Sequence, residues 1–524
     1  MFDRRQPFFI RGPSVTHGGP INIDSTNRKV FAMGARVAEL PLIEKAVAKP
    51  EIAIVTTPPI TRPRRKVFRR LNHGFVPGYA PICMDSNDPL TVKKAFEQRV
   101  LRELPSPKEG FLEQLKQFTQ KFCEDHLPVV KEMEFEEWLD STSYGIARKE
   151  QLRKVHEDLR GGVPNRKQRR TVKSFVKSEF YPCYKQARMI NSRSDAFKVW
   201  SGPKFKSIEN EVYKLESFIK HVPVTDRPAK VKQLKQAGRR YYQTDYTAFE
   251  SHFTPELMQS VECVLYRHCL KNDVNVDKLC ETLTGRNKMR TSSGVRAKVN
   301  GRRMSGDMCT SLGNGFTNLM LMLCIVEKKG GTLEGFVEGD DGLFSTDVEV
   351  TAQDFEDYGF TIKIDEVADP CEASFCGMIF SDSGEIIREP RRFMMGFGWT
   401  QSFINGGTRL MDSLERAKAL SAAYETPQCP VIGELFRASL LKTTSSVPRF
   451  VDDGYHKPRD VQNVPAFKPS MDTRLLFEHC YSVTVEEQLI VESMIRNGRL
   501  CDIQRIIRPL SDQQSYNNNY VEAT

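Results

Sequence analysis

Two adjacent carboxylates, Asp340 and Asp341, lie between Gly339 and Gly342, with short apolar runs on either side, Phe336-Val337 and Leu343-Phe344. Asp-Gly between such runs is a strong hairpin signal. The stretch from Glu334 to Ser345 therefore predicts two strands with both carboxylates at the tip of a tight turn. Oxygens presented in that way suit a hard divalent cation. The competing reading is a solvated acidic turn, and the turn alone does not choose between them. What lies before and after it does.

The chain has 524 residues, more than one core usually supports, so several subdomains are expected. With 39% hydrophobic and 27% charged residues, its composition is that of a globular protein in water. A net charge of +10 favours a polyanionic partner such as nucleic acid; an anionic membrane surface would also attract it. The 13 cysteines are scattered, without a C-x-x-C pair, which argues for a reducing compartment and against a disulfide framework. Cys263, His268 and Cys269, like Cys371 and Cys376, read as buried residues rather than zinc ligands. The N-terminus carries Arg4, Arg5 and Arg11 without a following apolar core, so no signal peptide is expected. The apolar run from Leu319 to Val326 is too short to span a bilayer. Membrane association is expected only through partners or the surface.

Residues 1 to about 80 are rich in Pro, Gly and Arg, with a basic run from Thr61 to Arg70 and a short helix expected around Ala35 to Lys45. From Pro89 to Leu159 the apolar spacing becomes helical, through Val92, Ala95, Phe96 and Val100, then Phe111, Leu112, Leu115 and Phe118. Residues 161 to 193 hold nine cations, Arg166, Lys167, Arg169, Arg170, Lys173, Lys177, Lys185, Arg188 and Arg193, against one acid, Glu179. Phe175, Phe180, Tyr181 and Tyr184 are interleaved. This density reads as the wall of a phosphate-binding channel rather than a solvated face. Tyr241 and Tyr242 suggest a strand leading into Asp245, and a helix-like stretch runs from Pro255 to Leu270 before polar, glycine-containing segments. Ser305 opens a long helix in which Thr310 and Asn314, four apart, share a face. Gly313 and Gly315 each cost about 1 kcal/mol relative to Ala there, which implies a close approach to the backbone. Lys328, Lys329 and Gly330 or Gly331 mark the end of this helix. Thr351 with Asp354 resembles a capping pair. Phe360, Ile362 and Ile364 alternate as a strand with Lys363 on the other face. Residues from about 380 to 510 read as mostly helical, at Leu414 to Tyr424, Val431 to Leu441 and Val485 to Met494, and a polar tail follows.

Joining nucleotides requires a 3′-hydroxyl to attack an α-phosphate while pyrophosphate leaves. Two divalent ions about 3.5–4 Å apart stabilise the attacking and leaving oxygens together. Carboxylates from separate strands must hold them, and Asp245 with the Asp340–Asp341 pair supplies such a set if a sheet brings them together. The basic segment would neutralise the triphosphate, and the Ser305–Asn314 segment would contact the incoming sugar.

In their order and spacing, Asp245-x4-Glu250, Ser305-Gly306-x3-Thr310-x3-Asn314 and Gly339-Asp340-Asp341 resemble the RNA-dependent RNA polymerases of positive-strand RNA viruses, in the form nearest the tombusvirus-like and flavivirus-like enzymes. The resemblance covers roughly residues 140 to 400. It implies an α+β right-hand fold of fingers, a palm made of an antiparallel sheet plus helices, and a mostly helical thumb. The corresponding division is an N-terminal extension at 1–80, fingers at 81–239, palm at 240–253, a fingers insertion at 254–304, palm again at 305–380, thumb at 381–510 and a tail at 511–524. It implies magnesium or manganese, two ions, held by Asp245, Asp340 and Asp341, 2′-hydroxyl recognition by Ser305, Thr310 and Asn314, and nucleotide contacts by Gly306 and Glu250. Lys177, Glu179, Lys185 and Arg188 look like the triphosphate-binding motif. Thr142, Ser143 and Gly145 look like the template-guiding loop, with Arg166, Lys167, Arg169 and Arg170 beside it as RNA contacts. Ser374 to Gly377, through Phe375 and Cys376, looks like the hairpin that grips the primer strand. Lys363 stands about where such enzymes carry a proton donor to pyrophosphate. One departure is Glu250, where the family usually has Asp. Implied partners are template and nascent RNA, nucleoside triphosphates and other viral or host replication proteins; the implied location is the host cytoplasm, at membrane-associated replication complexes.

Two rivals compete. A reverse transcriptase shares the palm and paired aspartates, but the Ser305-to-Asn314 motif favours an RNA product. A non-catalytic RNA-binding or packaging protein explains the charge but not the spaced acids. No Gly-x4-Gly-Lys-Ser/Thr loop is present, so no helicase is fused here.

Overall fold

The computed structural model describes residues 30–32, 35–37, 51–54, 68–82, 84, 89–182, 186–451 and 464–510. The expectations for Lys185, for most of the Thr61 to Arg70 run and for the 511–524 tail lie outside these residues. The described chain is a mixture of helices and two larger sheets.

The sheet that carries the acidic turn has four antiparallel strands in the order Leu333–Glu338, Asp341–Thr346, Arg240–Tyr246 and Ile362–Val367. Residues alternate between faces along a strand. Tyr242, Tyr246, Phe344 and Ile362 are buried in the largest core, against the helices Phe111–His126, Pro255–Ser260, Glu262–Cys269 and Thr310–Lys328. Each such large side chain contributes about 1.5–3 kcal/mol by leaving water. On the opposite face, Phe336 and Leu343 pack in a second core with Ile219, Val231, Phe375 and Phe380. Asp245 stays exposed on its strand while its neighbours Thr244 and Tyr246 are buried.

A second, five-stranded sheet has the order Glu51–Ile54, Val295–Asn300, Arg286–Arg290, Thr171–Val176 and Met189–Arg193. All neighbours are antiparallel except Thr171–Val176 with Arg286–Arg290. Val172, Val176, Met289, Ala297 and Val299 bury one face of it against Val92, Ala95 and Phe96 of the helix Pro89–Arg99. At the C-terminal side, the helices Thr408–Glu425, Ile432–Lys442, Met471–Tyr481 and Val485–Arg496 share a core into which Val76 and Tyr79 insert from the N-terminal side. The Trp399 indole donates to the Tyr79 carbonyl at 2.8 Å, and Trp399–Thr400 pairs with Arg69–Arg70.

Several expectations need correction. Ala35–Val37 is a strand paired with Val30–Ala32, not the start of a helix. The Pro255-to-Leu270 helix breaks at Val261, whose φ of −122° and ψ of −74° leave the helical region. The segment at 254–304 divides: its helices join the main core, whereas its last part forms two strands of the five-stranded sheet. The helix expected from Ser305 begins at Thr310. It ends at Lys328 with Gly330 at a φ of +74°, which suits a residue without Cβ. The Thr351 pair is present, with the Thr351 amide donating to Asp354 Oδ2 at 2.8 Å.

Candidate active site

Glu338 pairs with Asp341, so the hairpin loop is Gly339-Asp340. Gly339 takes a φ of +65°, a conformation that favours glycine. Only Asp340 sits at the tip; Asp341 is the first residue of the returning strand. The Asp-Gly signal thus points two residues too far along. Gly342 serves another purpose: a Cβ there would come within 2.4 Å of the Phe344 ring and 2.6 Å of Thr244 Oγ1. Gly342 pairs with Thr244, so the next rung of the ladder sets Asp341 beside Asp245. Asp245 in turn pairs with Lys363. Glu338, Asp341, Asp245 and Lys363 therefore form one row across all four strands. Directly opposed residues share a face, with Cβ atoms about 4.5–5.5 Å apart.

The electrostatics follow from this crowding. Burial, then the charges of Asp340, Asp245 and Glu338, push the Asp341 carboxyl up to about 7, against the pull of Arg188. Burial and then Glu250 raise Asp340, while Arg188 opposes. Glu338 is held at 3.1 Å by Arg227. Lys363 Nζ reaches Asp365 at 2.5 Å, two residues along its own strand.

Asn318 holds the turn from behind, and the sequence reading missed it. Its Nδ2 lies 3.2–3.4 Å from the carbonyls of Gly339, Asp340 and Asp341, and its Oδ1 accepts from the Tyr246 hydroxyl at 3.1 Å. Asn318 follows Asn314 by four, so the face shared by Thr310 and Asn314 extended one turn further would have pointed to it.

Across from the acids, Glu179 gathers the cations. Lys177 approaches it at 2.6 Å and Arg188 at 3.4 Å, and the Tyr181 hydroxyl donates at 3.1 Å. Burial pushes Glu179 up, but Lys177 and Arg188 outweigh it and hold the carboxyl below its ordinary value. Arg188 feels Glu179, Glu250 and Asp340 together, so it bridges the two groups. Arg99, also missed by the sequence reading, lies 3.9 Å from Glu250.

Ser305 Oγ donates to the Met189 carbonyl at 2.9 Å, and Gly306 NH to the Asn191 carbonyl at 2.9 Å, which ties this segment to the five-stranded sheet. A Cβ on Gly306 would meet that same Asn191 carbonyl at 3.0 Å. Thr310 Oγ1 donates back to Asp307 at 2.9 Å. Asn314 is buried, and its Oδ1 accepts from Arg303 Nε at 3.0 Å, leaving its amide nitrogen to donate. Arg303 is itself paired with buried Glu262. The close approach implied at the helix glycines is this guanidinium at Gly313 and the Phe218 ring at Gly315.

Thr142, Ser143 and Tyr144 line a shallow cleft with Trp138, Lys206 and Met308, and Gly145 follows them at the surface. Arg166 and Lys167 are exposed. Arg169 differs from expectation: it donates to the carbonyls of Pro164 and Lys278 and to Thr282 Oγ1, which pins local structure. Arg170 sits beside Gly285. Arg193 is buried on Asp307 at 2.8 Å and is no part of a channel wall. Phe375 also needs correction, because its side chain is fully buried in the second core and offers RNA nothing. Cys376, at a φ of +54°, is the turn residue that Phe375 anchors.

The sequence profile of a family described as viral RNA dependent RNA polymerase matches residues 90–395, more than half of the chain. The chain belongs to that family. It is an RNA-directed RNA polymerase, and viral RNA-templated RNA synthesis is its work. No curated protein matches it closely enough to be counted as a relative. The match spans both Asp245 and the Gly339–Asp341 turn, so the polymerase's acids fall inside the shared region. Whether they suit a metal rests on the donor set. The donors are hard carboxylate oxygens, and burial first, then the neighbouring carboxylates, push Asp341 up to about 7. Among the described residues no three acidic, His or Cys side chains converge into a ready cage. No helix among the described residues is long and apolar enough to cross a membrane.

Proposed function

We propose that the polymerase extends an RNA chain by nucleotidyl transfer at the Asp341–Asp245 row, with Asp340 at the tip beside it. The observation that carries this reading is the row itself: carboxylates from two hairpin strands and a third strand meet on one sheet face, with excess negative charge. Divalent magnesium or manganese ions, held by Asp245, Asp340 and Asp341, would polarise the α-phosphate and stabilise the attacking and leaving oxygens. The chain's own groups do the rest. Arg188 and Lys177, freed from Glu179 as the more highly charged triphosphate enters, bind its phosphates. The Asn314 amide, fixed by Arg303, donates toward the sugar, and Glu250 reads the same region with one methylene more than Asp. Lys363, opposite Asp245 in register, would leave Asp365 to give a proton to leaving pyrophosphate.

On this reading the four-stranded sheet with its helices is the palm, the five-stranded sheet belongs to the fingers, and the C-terminal helices form the thumb. The motif spacing supports a place near the tombusvirus-like and flavivirus-like enzymes and work in cytoplasmic replication complexes with other replication proteins. Incorporation of NTPs against dNTPs on a defined RNA template tests the reading. NTP preference that weakens in Glu250→Ala supports it, and a clear dNTP preference overturns it.

A further inference from the structure

Glu179 stands outside the sheet that leads to it. The ladder between Thr171–Val176 and Met189–Arg193 ends at Lys177, whose amide donates to the Arg188 carbonyl at 2.8 Å. Beyond that point the chain takes its partners from distant parts of the sequence. Tyr181 pairs with Ile82, each amide donating to the other's carbonyl at 3.0 Å. The Gln401 side-chain amide donates to the Glu179 carbonyl at 2.8 Å. Between them, the Phe180 ring meets Phe68 edge-on with centroids 6.4 Å apart, and Phe68 packs on Trp399 at 5.1 Å. Lys418 Nζ lies 5.7 Å from the centre of the Phe180 ring while it donates to the carbonyls of Gly396 and Trp399. Residues 68–82 and the 399–401 turn are themselves joined, through the pairing of Arg69–Arg70 with Trp399–Thr400, and Val76 and Tyr79 anchor them in the C-terminal helical core. The backbone around Glu179 is therefore held by elements far from it in sequence.

Tyr181 carries that hold into the carboxylate. Its ring is buried, and its hydroxyl accepts from the Arg188 amide at 3.0 Å and donates to Glu179 Oε2 at 3.1 Å. The other carboxylate oxygen, Oε1, receives both cations, Lys177 at 2.6 Å and Arg188 at 3.4 Å. A terminal carboxylate turns easily about its last torsion. The hydroxyl stops that rotation and keeps Oε2 from the cations. Without it, Glu179 could offer Arg188 both oxygens as a fork, the arrangement that competes best with an incoming phosphate.

We propose that Tyr181 and Gln401 are positioning residues for the incoming triphosphate. Gln401 fixes the backbone of Glu179, Tyr181 fixes its carboxylate, and together they present Lys177 and Arg188 loosely enough to be taken over by the phosphates. The proposal rests on the reading of the Lys177–Arg188 cluster as the triphosphate site. A buried tyrosine hydroxyl usually finds some partner; here both of its partners belong to that cluster, which sets it apart from a hydroxyl satisfied within its own packing.

The test uses the full chain and the variants Y181F, Q401M and E179Q in single-nucleotide incorporation on a short RNA template, with pyrophosphate inhibition as a second probe of the phosphate positions. Y181F keeps the ring and removes one oxygen. KM for NTP is expected to rise about fivefold to tenfold while kcat falls less. Q401M keeps the length of the side chain and removes the donor, for a rise of about threefold. The inhibition constant of pyrophosphate is expected to rise in parallel. In Y181F/E179Q the combined effect is expected to fall short of the product of the two, because the hydroxyl acts through the carboxylate. Urea midpoints measured alongside separate positioning from folding, and Q401M carries the test should Y181F not fold. If E179Q leaves KM unchanged, the triphosphate reading itself fails. If E179Q shifts KM while Y181F and Q401M do not, the proposal is overturned and the reading stands. A lowered urea midpoint with KM unmoved makes Tyr181 a packing residue and also overturns it.

Discussion

The stability of this polymerase without metal ions should fall as pH rises through the range where Asp341 loses its proton. In the folded chain its carboxyl is pushed from 3.8 up to about 7, by burial first and then by Asp340, Asp245 and Glu338. At ~1.4 kcal/mol per pH unit the rise corresponds to ~4 kcal/mol against the charged form. The folded state then binds more protons than the unfolded state between about pH 4 and pH 7, so the slope of unfolding free energy on pH is negative there. The effect is absent below the unfolded pKa and complete above the folded one. Asp341→Asn removes the titrating group and should flatten this component. On the proposed metal role, magnesium would neutralise the same field, so it should raise stability more at pH 8 than at pH 5. The assay is urea unfolding across pH, with EDTA or with magnesium, for wild type and Asp341→Asn. Parallel wild-type and variant profiles, or a magnesium effect independent of pH, would refute the reasoning.

Other substitutions probe separate parts of the site. Asn318→Leu leaves the Gly339–Asp341 carbonyls without their shared donor, a loss of about 1–3 kcal/mol; turnover should drop about tenfold and half-saturation by magnesium should rise, read by single-turnover incorporation. Gly313→Ala would set a Cβ 2.3 Å from Arg303 Nη2 and displace the guanidinium that orients Asn314; discrimination between NTP and dNTP should narrow, measured by their relative kcat/KM. Glu179→Gln removes the charge on which Lys177 and Arg188 rest; KM for NTP should shift more than kcat, and an unchanged KM would exclude the cluster from triphosphate binding.

What the sequence revealed and what it hid have physical reasons. Asp245, Asp340 and Asp341 could be singled out because three segments stand in a fixed order and spacing; the ladder sets Asp245 and Asp341 in one row, with Asp340 at the turn beside them. The end of the Thr310–Lys328 helix and the Thr351–Asp354 pair were legible because caps depend on near neighbours. The hairpin turn was misplaced because Asp-Gly is a good turn signal in isolation, whereas Gly342 is small to admit Phe344 and Thr244, contacts that exist only in three dimensions. Phe375 looked available in a turn-like string, but a neighbouring core covers it. The five cations between Arg286 and Lys298 are as dense in the sequence as those at 161–193; what the sequence hides is the register that sets Arg290 between Lys173 and Arg296. Arg169 and Arg193 show the converse, since a dense run in sequence places some of its charges on carbonyls and a buried aspartate.

The central claim, that the Asp340 turn is where nucleotides are joined, is tested most directly by Asp340→Ala in RNA-templated incorporation of labelled NTP with magnesium, alongside a measurement of RNA binding. The account predicts that incorporation is abolished while most RNA binding remains. Undiminished synthesis by that variant would contradict it.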